Sequence, residues 1–151
     1  MSENGAEAVV LELLNAMNSG DLDRVAAVAA EDIAFVDVAG GEEIAGRGQW
    51  REYSGRYVKA FPDLQLDVAN IVSTEDTVTL ELVLRGTHKG PLESPAGSIP
   101  ATGRPIDVRA CIVARVRDGL ITDAREYYDA VTLMLQLGIM PDPVVPAEQP
   151  A

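Results

Sequence analysis

The chain holds a single histidine, His88, between two glycines in the segment RGTHKG. Histidine is a frequent general acid or base because its pKa lies near neutral pH. In the segment TVTLELVLRGTH side chains alternate between two faces, and Val78, Leu80 and Leu82 share the face of His88. The histidine is therefore predicted to point inward, either as a catalytic group or as a core histidine whose ring nitrogens are satisfied.

A carboxylate, Asp129, stands where the last strand-like segment gives way to the apolar run AVTLMLQLG. Burial beside Tyr127, Tyr128 and Leu133 would raise its pKa above about 3.9, which makes it a stronger base when ionised and a usable acid when protonated. Alternatively, Asp129 caps the following helix by accepting a backbone N–H near Leu133. The two roles do not exclude each other.

Three further charged residues lie in strand-like segments whose alternation does not assign them a face. Arg109 and Arg125 are expected on the surface by default, although an inward arginine could hold an acidic partner or an oxyanion. Asp37 shares one face with Ile33 and Phe35 in IAFVDV, so its orientation is equally open.

Other kinds of site lack their motifs. His88 and the single cysteine, Cys111, stand 23 positions apart and do not form a zinc-ligand pattern. No GxGxxG, GxxxxGK[ST] or GxSxG sequence occurs, which gives no support for a phosphate-binding loop or a nucleophile elbow. General acid/base chemistry is what the remaining residues favour.

The elements that must position these groups begin with helices. AEAVVLELLNAMNSGD and LDRVAAVAAED have apolar residues at helical spacing, with Gly20 as a stop and Asp21 as a cap. QWREYSGRYVKAFPD is a third helix, ended by Pro62. It carries aromatic residues on one face, either as core or as a cavity wall; they are Trp50, Tyr53, Tyr57 and Phe61.

One strand-like segment, IAFVDV, precedes the third helix, and after Pro62 the spacing of the apolar residues changes from helical to alternating. IAFVDV, LQLDVANIV, TVTLELVLRGTH, PIDVRACIVARV and LITDAREYYD are predicted strands, and Asp118-Gly119 predicts a tight hairpin between the last two. AGGEEIAGRG is expected to be a flexible turn, and KGPLESPAGSIPATG a long loop that could rim a cavity. This order predicts one α+β domain, residues 1–140, in which helices cover a curved antiparallel sheet and enclose a pocket. A loosely ordered proline-rich tail is predicted for 141–151.

Charge and composition limit the partners. The 24 acidic and 12 basic residues give a net charge of -12, which argues against binding nucleic acid or an anionic membrane surface and favours a neutral or apolar ligand. No apolar run approaches the roughly 18 residues of a membrane span. One cysteine cannot form an internal disulfide, and the N-terminus lacks a signal-peptide pattern, so we expect a cytoplasmic protein.

The order of these features resembles the SnoaL-like polyketide cyclases of the NTF2-like superfamily. The likeness runs from about Ala6 to Pro141 and is carried by AFPD (60–63), RGTHKG (85–90), PATGRPI (100–106), RVRDGLITDAREYYD (115–129) and LMLQLGIMP (133–141). Each piece alone is weak, but their order and spacing together are fairly specific to that family.

The resemblance implies an α+β cone, a homodimer and no metal or organic cofactor. Cyclases of the family close a ring by intramolecular aldol condensation, with an aspartate near the end of the last strand as general acid/base and the GTH histidine in the pocket; here these are Asp129 and His88. Family members often have a tryptophan before that aspartate, where this chain has Arg125, which implies a more polar pocket.

From the resemblance we expect a cyclase-like enzyme of polyketide, and hence antibiotic, biosynthesis, which acts on a small hydrophobic or polycyclic substrate. The side chains expected to contact it are Trp50, Tyr53, Tyr57, Phe61, Phe35, Arg109, Arg125 and Tyr127. Related scaffolds also support epoxide hydrolysis, with an arginine beside Asp129, as well as double-bond isomerisation and cofactor-free oxygenation. A non-catalytic module that binds a hydrophobic ligand is the remaining alternative.

Overall fold

The computed structural model describes residues 5–140, so the tail predicted at 141–151 lies outside the described residues. The predicted helices and strands occur in the predicted order, with three short strands added. They are α1 (Gly5–Ser19), α2 (Leu22–Ala27), β1 (Ala29–Asp37), β2 (Glu42–Ala45), α3 (Arg47–Ala60), β3 (Gln65–Ser73), β4 (Thr77–Thr87), β5 (Leu92–Ser94), β6 (Gly97–Ile99), β7 (Pro105–Arg117), β8 (Leu120–Tyr128) and α4 (Ala130–Leu137).

Three of the predicted helix boundaries follow from local chemistry, whereas the second helix ends at Ala27, five residues before its predicted end, because the chain from Ala29 onward pairs with β8. After α1, Gly20 adopts a φ of +69°, a conformation that costs glycine little, and the chain turns there. The carboxylate of Asp21 accepts the backbone N–H of Arg24 at 3.2 Å, which caps α2 as expected. α3 ends at Ala60, two residues before Pro62.

Six strands form one sheet in the order β2-β1-β8-β7-β4-β3. All neighbouring pairs are antiparallel except β1 and β8, which run parallel. The hairpin between β7 and β8 is the predicted one, with Asp118 at φ +52° and Gly119 at φ +76°. The parallel pairing brings the ends of β1 and β8 together and sets Asp37 directly opposite Glu126.

Two segments predicted as irregular form short hairpins instead. β2 lies in AGGEEIAGRG and pairs with β1, while β5 and β6 form a separate two-stranded sheet within the predicted loop 89–103. These strands have four, three and three residues, which is too short for an alternating pattern to appear in the sequence.

The helices pack against one face of the large sheet and enclose the core. α1 contacts β3, β4, β7 and β8, and α3 contacts β1 and β2 as well as β5 of the small sheet. None of the helices within 5–140 is long and apolar enough to cross a membrane.

Gly90, after β4, is packed against the end of α3 so closely that a side chain has no space. A Cβ there would overlap the carbonyl oxygen of Lys59, a backbone atom that cannot rotate away. We expect Gly90→Ala to lower the free energy of unfolding by about 1–3 kcal/mol, measured by urea denaturation.

Gly48→Ala is the matched control, because it lies in α3 with no atom within 4 Å of an added Cβ. Alanine favours a helix by up to about 1 kcal/mol over glycine, so this variant should be unchanged or more stable. Equal stability of the two variants would contradict the close approach at Gly90.

Candidate active site

A cavity of about 80 Å³ lies between the helices and the sheet, and its walls are almost entirely apolar. α1 contributes Leu13, Leu14 and Met17, and the sheet contributes Val108 and Ile112. Within the described part of the chain, Glu126 is the one carboxyl that lines it. We call it the apolar cavity.

The predicted aromatic stripe on α3 is both core and cavity wall. Trp50, Tyr53, Tyr57 and Phe61 all line the apolar cavity, together with Phe35 from β1. The ring centroid of Phe35 lies 5.0 Å from that of Trp50 and 5.1 Å from that of Tyr53, distances typical of interacting aromatic pairs. These rings form a wall suited to a flat, unsaturated ligand.

Glu126 on β8 points into this cavity from a position directly opposite Asp37 of β1. Burial, followed by the negative charge of Asp37, raises the pKa of Glu126 from its ordinary value of 4.5 to about 7, although hydrogen bonding with Tyr53 opposes part of the rise. A carboxyl with this pKa exchanges a proton readily at neutral pH, as a general acid/base must.

Three tyrosines surround Glu126. Burial raises the pKa of Tyr128 to about 12, and burial likewise raises the pKa values of Tyr53 and Tyr57 well above the ordinary value. The three hydroxyls therefore keep their protons at neutral pH. Those of Tyr57 and Tyr128, which both line the apolar cavity, are hydrogen-bond donors available for a carbonyl or an enolate oxygen.

Asp37 is buried, with 2% of its surface exposed, and it lines a second cavity of about 340 Å³ beside the first. Its carboxylate accepts the Tyr53 hydroxyl at 2.9 Å and the backbone N–H of Gly40 at 2.7 Å. Tyr57, Tyr128 and Leu133 line both cavities. We call this second space the polar cavity, because Glu42 and Arg56 also line it and form an ion pair at 2.8 Å.

His88 points inward as predicted and is fully buried, but it lies outside the walls of both cavities. Its ring packs 5.4 Å from that of Phe61, which does line the apolar cavity. The Nδ1 atom accepts the Thr102 hydroxyl at 3.0 Å and the Thr102 N–H at 3.2 Å, so the neutral ring carries its proton on Nε2. Nε2 has no hydrogen-bond partner within residues 5–140.

In this position His88 is a buried histidine whose hydrogen bonds hold the loop at residues 102–104 in place. Its backbone N–H donates to Arg104 and its carbonyl accepts from Gly103, in addition to the contacts with Thr102. Burial lowers its pKa, which favours the neutral ring. His88, which was predicted to line the pocket, does not line the apolar cavity, because Phe61 forms the wall there.

Asp129 also lies outside both cavities. It is exposed and caps α4, where it accepts the Thr132 N–H at 3.0 Å and the Thr132 hydroxyl at 2.6 Å. These hydrogen bonds lower its pKa, the opposite of the expected rise, because the side chain is not desolvated. Of the two predicted roles, the structure shows the helix cap.

Arg109, Arg125 and Tyr127 are exposed on the opposite face of the sheet, where Tyr127 keeps 43% of its surface accessible. The structure therefore places all three, which were expected to contact the substrate, outside the apolar cavity. Neither arginine lines the apolar cavity, and Asp129 lies outside it as well. The arrangement expected for epoxide opening, with Asp129 and an arginine together in the cavity, is therefore not seen.

A β-bulge explains why alternation failed to find Glu126. Val116 pairs with Ile121 and Arg115 pairs with Asp123, which leaves Thr122 as an extra residue on β8. Strict alternation from the buried Ile121 would turn Arg125 and Tyr127 inward, whereas the bulge turns Glu126 and Tyr128 inward instead. The sequence holds no residue at this bulge, such as a glycine or proline, that would have signalled it.

No cluster of three or more histidine, cysteine, aspartate or glutamate side chains within 5–140 is arranged to hold a metal ion.

Comparison with known proteins gives one family and many similar structures. The family model for the SnoaL-like polyketide cyclase matches residues 7–137. IdmH of Streptomyces antibioticus, assigned as a polyketide cyclase, is 31% identical, with a TM-score of 0.73 over 88% of this chain and 98% of that one. AclR of Streptomyces galilaeus, assigned as a hydroxylase, is 28% identical, with a TM-score of 0.77 over 93% and 89%.

The fold is also that of a protein from Jannaschia sp. CCS1 assigned as a SnoaL-like polyketide cyclase, which is 20% identical, with a TM-score of 0.80 over 93% of this chain and 98% of that one. No match was found among curated proteins.

Proposed function

Because the chain belongs to the SnoaL-like polyketide cyclase family, we propose that it is an enzyme that closes a ring in a polyketide or similar polycyclic substrate by an intramolecular aldol reaction. The observation that supports this function is the position of Glu126, a carboxyl with a pKa of about 7 in an apolar, aromatic-walled cavity. The fold and the apolar cavity alone would serve a binding module equally well.

The proposed reaction begins with proton removal. Glu126, as the carboxylate, takes a proton from a carbon between two carbonyl groups, and the electron pair of that C–H bond forms the enolate. The enolate carbon attacks a second carbonyl of the same chain, so that a C–C bond forms and the carbonyl oxygen becomes an alkoxide. Glu126 then returns the proton to this oxygen, which restores the carboxylate.

The tyrosine hydroxyls are placed to stabilise the negative charge that develops on the enolate or alkoxide oxygen during the reaction. Tyr57 and Tyr128 line the apolar cavity with hydroxyls that stay protonated at neutral pH, and each can donate to the enolate or alkoxide oxygen. The rings of Phe35, Trp50 and Phe61 would hold the flat part of the substrate, so that the reacting carbons lie against Glu126.

The pH dependence of ring closure tests this role. Since the carboxylate is the active form, kcat/KM for a linear poly-β-ketone should rise with pH through about 7 and then level off. The measurement is the initial rate of cyclic product formation, followed by liquid chromatography with mass detection. A rate that does not change between about pH 5.5 and about pH 8.5 would speak against Glu126 as the base.

A further inference from the structure

Asp37 is a buried carboxylate that the proposed reaction does not use. It lines the polar cavity and not the apolar one, yet its side chain reaches the hydroxyl of Tyr53, which lines the apolar one. The strand register places Asp37 and Glu126 as direct neighbours on β1 and β8. Two carboxyls thus stand side by side, each facing a different cavity, with a tyrosine hydroxyl between them.

The Tyr53 hydroxyl has one proton, and that proton is directed to Oδ2 of Asp37 at 2.9 Å. Its oxygen remains able to accept a hydrogen bond, and hydrogen bonding between Tyr53 and Glu126 contributes to the pKa of Glu126. When Glu126 is protonated, its O–H can donate to the Tyr53 oxygen. When Glu126 is ionised, the Tyr53 hydroxyl can instead turn and donate to it, and this second arrangement is the one that lowers the pKa of Glu126. One proton moving from Glu126 to Tyr53, and one from Tyr53 to Asp37, would exchange the charges of the two carboxyls with no other reactant.

We propose that Asp37 is a positioning residue for the reaction, which acts on Glu126 through the Tyr53 hydroxyl and joins the three side chains into one proton-sharing unit. The unit links the apolar cavity, where the substrate would react, to the polar cavity on the other side of Tyr57 and Tyr128. This inference rests on the proposed role of Glu126 as the base.

Among residues 5–140, the other charged and titratable groups around these three side chains do not neutralise the charge of Asp37. Arg56 on α3 is the cation that lines the polar cavity, and its guanidinium contacts both carboxylate oxygens of Glu42, at 2.9 Å and 2.8 Å. Tyr57 and Tyr128 stay neutral. The negative charge of Asp37 therefore acts on Glu126 and stabilises its protonated form.

Two substitutions separate the charge of Asp37 from the hydrogen bond of Tyr53. Asp37→Asn removes the charge, and its amide can donate to the Tyr53 oxygen, which redirects the tyrosine proton to Glu126. Both changes stabilise the Glu126 carboxylate, so its pKa should fall by about one unit or more. Tyr53→Phe removes the hydroxyl but keeps the charge, so the pKa of Glu126 should rise.

The measurement is a titration of the Glu126 carboxyl by ¹³C NMR in protein labelled at the glutamate side-chain carboxyls, with the resonance assigned by its loss in Glu126→Gln. Glu43→Gln is the matched control: it removes one negative charge from the neighbouring strand β2 at an exposed position outside both cavities, and should leave the titration unchanged. Opposite shifts in the two variants support the unit. Shifts in the same direction, or none, would overturn it.

This titration needs no substrate, so it separates the two proposals. A Glu126 that titrates as expected but whose replacement leaves ring closure intact would remove the proposed function and keep the proton-sharing unit. With substrate present, the midpoint of the pH–rate profile should follow the NMR shift in each variant, a readout that a purely structural role of Asp37 would not move.

Discussion

Glu126→Gln is expected to lower kcat for ring closure by about 10²- to 10⁴-fold, the usual contribution of one positioned general acid/base. Glutamine has nearly the same shape as glutamate but cannot take a proton. The aromatic wall of the cavity is untouched, so KM should change little. Initial rates of product formation, with the substrate in excess and at about pH 8, would measure the loss.

Asp129→Asn is the matched control for this experiment, because Asp129 is the carboxylate that the family resemblance pointed to. It is exposed and caps α4, and asparagine caps a helix about as well as aspartate. Its kcat should stay within about twofold of the unmodified chain. A large loss in Asp129→Asn with none in Glu126→Gln would reverse the assignment of the base.

The same Glu126→Gln substitution should stabilise the fold at alkaline pH. Glu126 has a pKa of about 7 in the folded chain against an ordinary value of 4.5, so the folded state binds the proton more tightly. Its contribution to stability is fully present below about pH 4.5 and is lost as the pH rises through about 7. At 1.36 kcal/mol per pKa unit, the loss amounts to about 3 kcal/mol.

Glutamine does not ionise, so the variant does not lose this stability as the pH rises. The free energy of unfolding of Glu126→Gln should therefore exceed that of the unmodified chain by about 3 kcal/mol at pH 8 and by about 1 kcal/mol near pH 5, as measured by urea denaturation. Glu43→Gln, at an exposed site, should differ by less than about 0.5 kcal/mol at both values. A gain in Glu126→Gln that is the same at both pH values would show that the carboxyl is not desolvated.

The expected loss of kcat and the expected gain in stability in Glu126→Gln have the same cause. The ionised form of Glu126 lowers the stability of the fold, and this same effect lets the carboxyl exchange a proton at neutral pH. A carboxyl placed in an apolar cavity beside another negative charge is unfavourable when ionised, and the same environment raises its proton affinity into the useful range.

Much of the fold could be predicted from local patterns. Gly20 and Asp21 mark the boundary of α1 and α2, and Asp118-Gly119 marks the hairpin of β7 and β8, because each depends on a few adjacent residues with definite conformational preferences. The aromatic face of α3 also followed from its spacing alone. The short strand β2 could not be found this way, since four residues carry too little pattern.

The site was predicted less well because it depends on which way single residues face. His88 is inward as alternation predicted, since β4 keeps regular pairing with β7 up to Thr87. Alternation failed on β8, where the extra residue Thr122 exchanges the two faces of the strand beyond it. The carboxylate expected in the cavity, Asp129, is therefore a cap, and Glu126 takes its place.

The sequence by itself determined the types and order of the longer elements, the aromatic wall and the family, because these rest on spacing and on short motifs. Only the tertiary structure decided which acid faces the cavity. That choice depends on a bulge and on the parallel pairing of β1 with β8, which brings Asp37 beside Glu126 from 89 positions away in the chain. Interactions between residues so distant in sequence arise only when the sheet has formed, and they set the pKa on which the proposed chemistry depends.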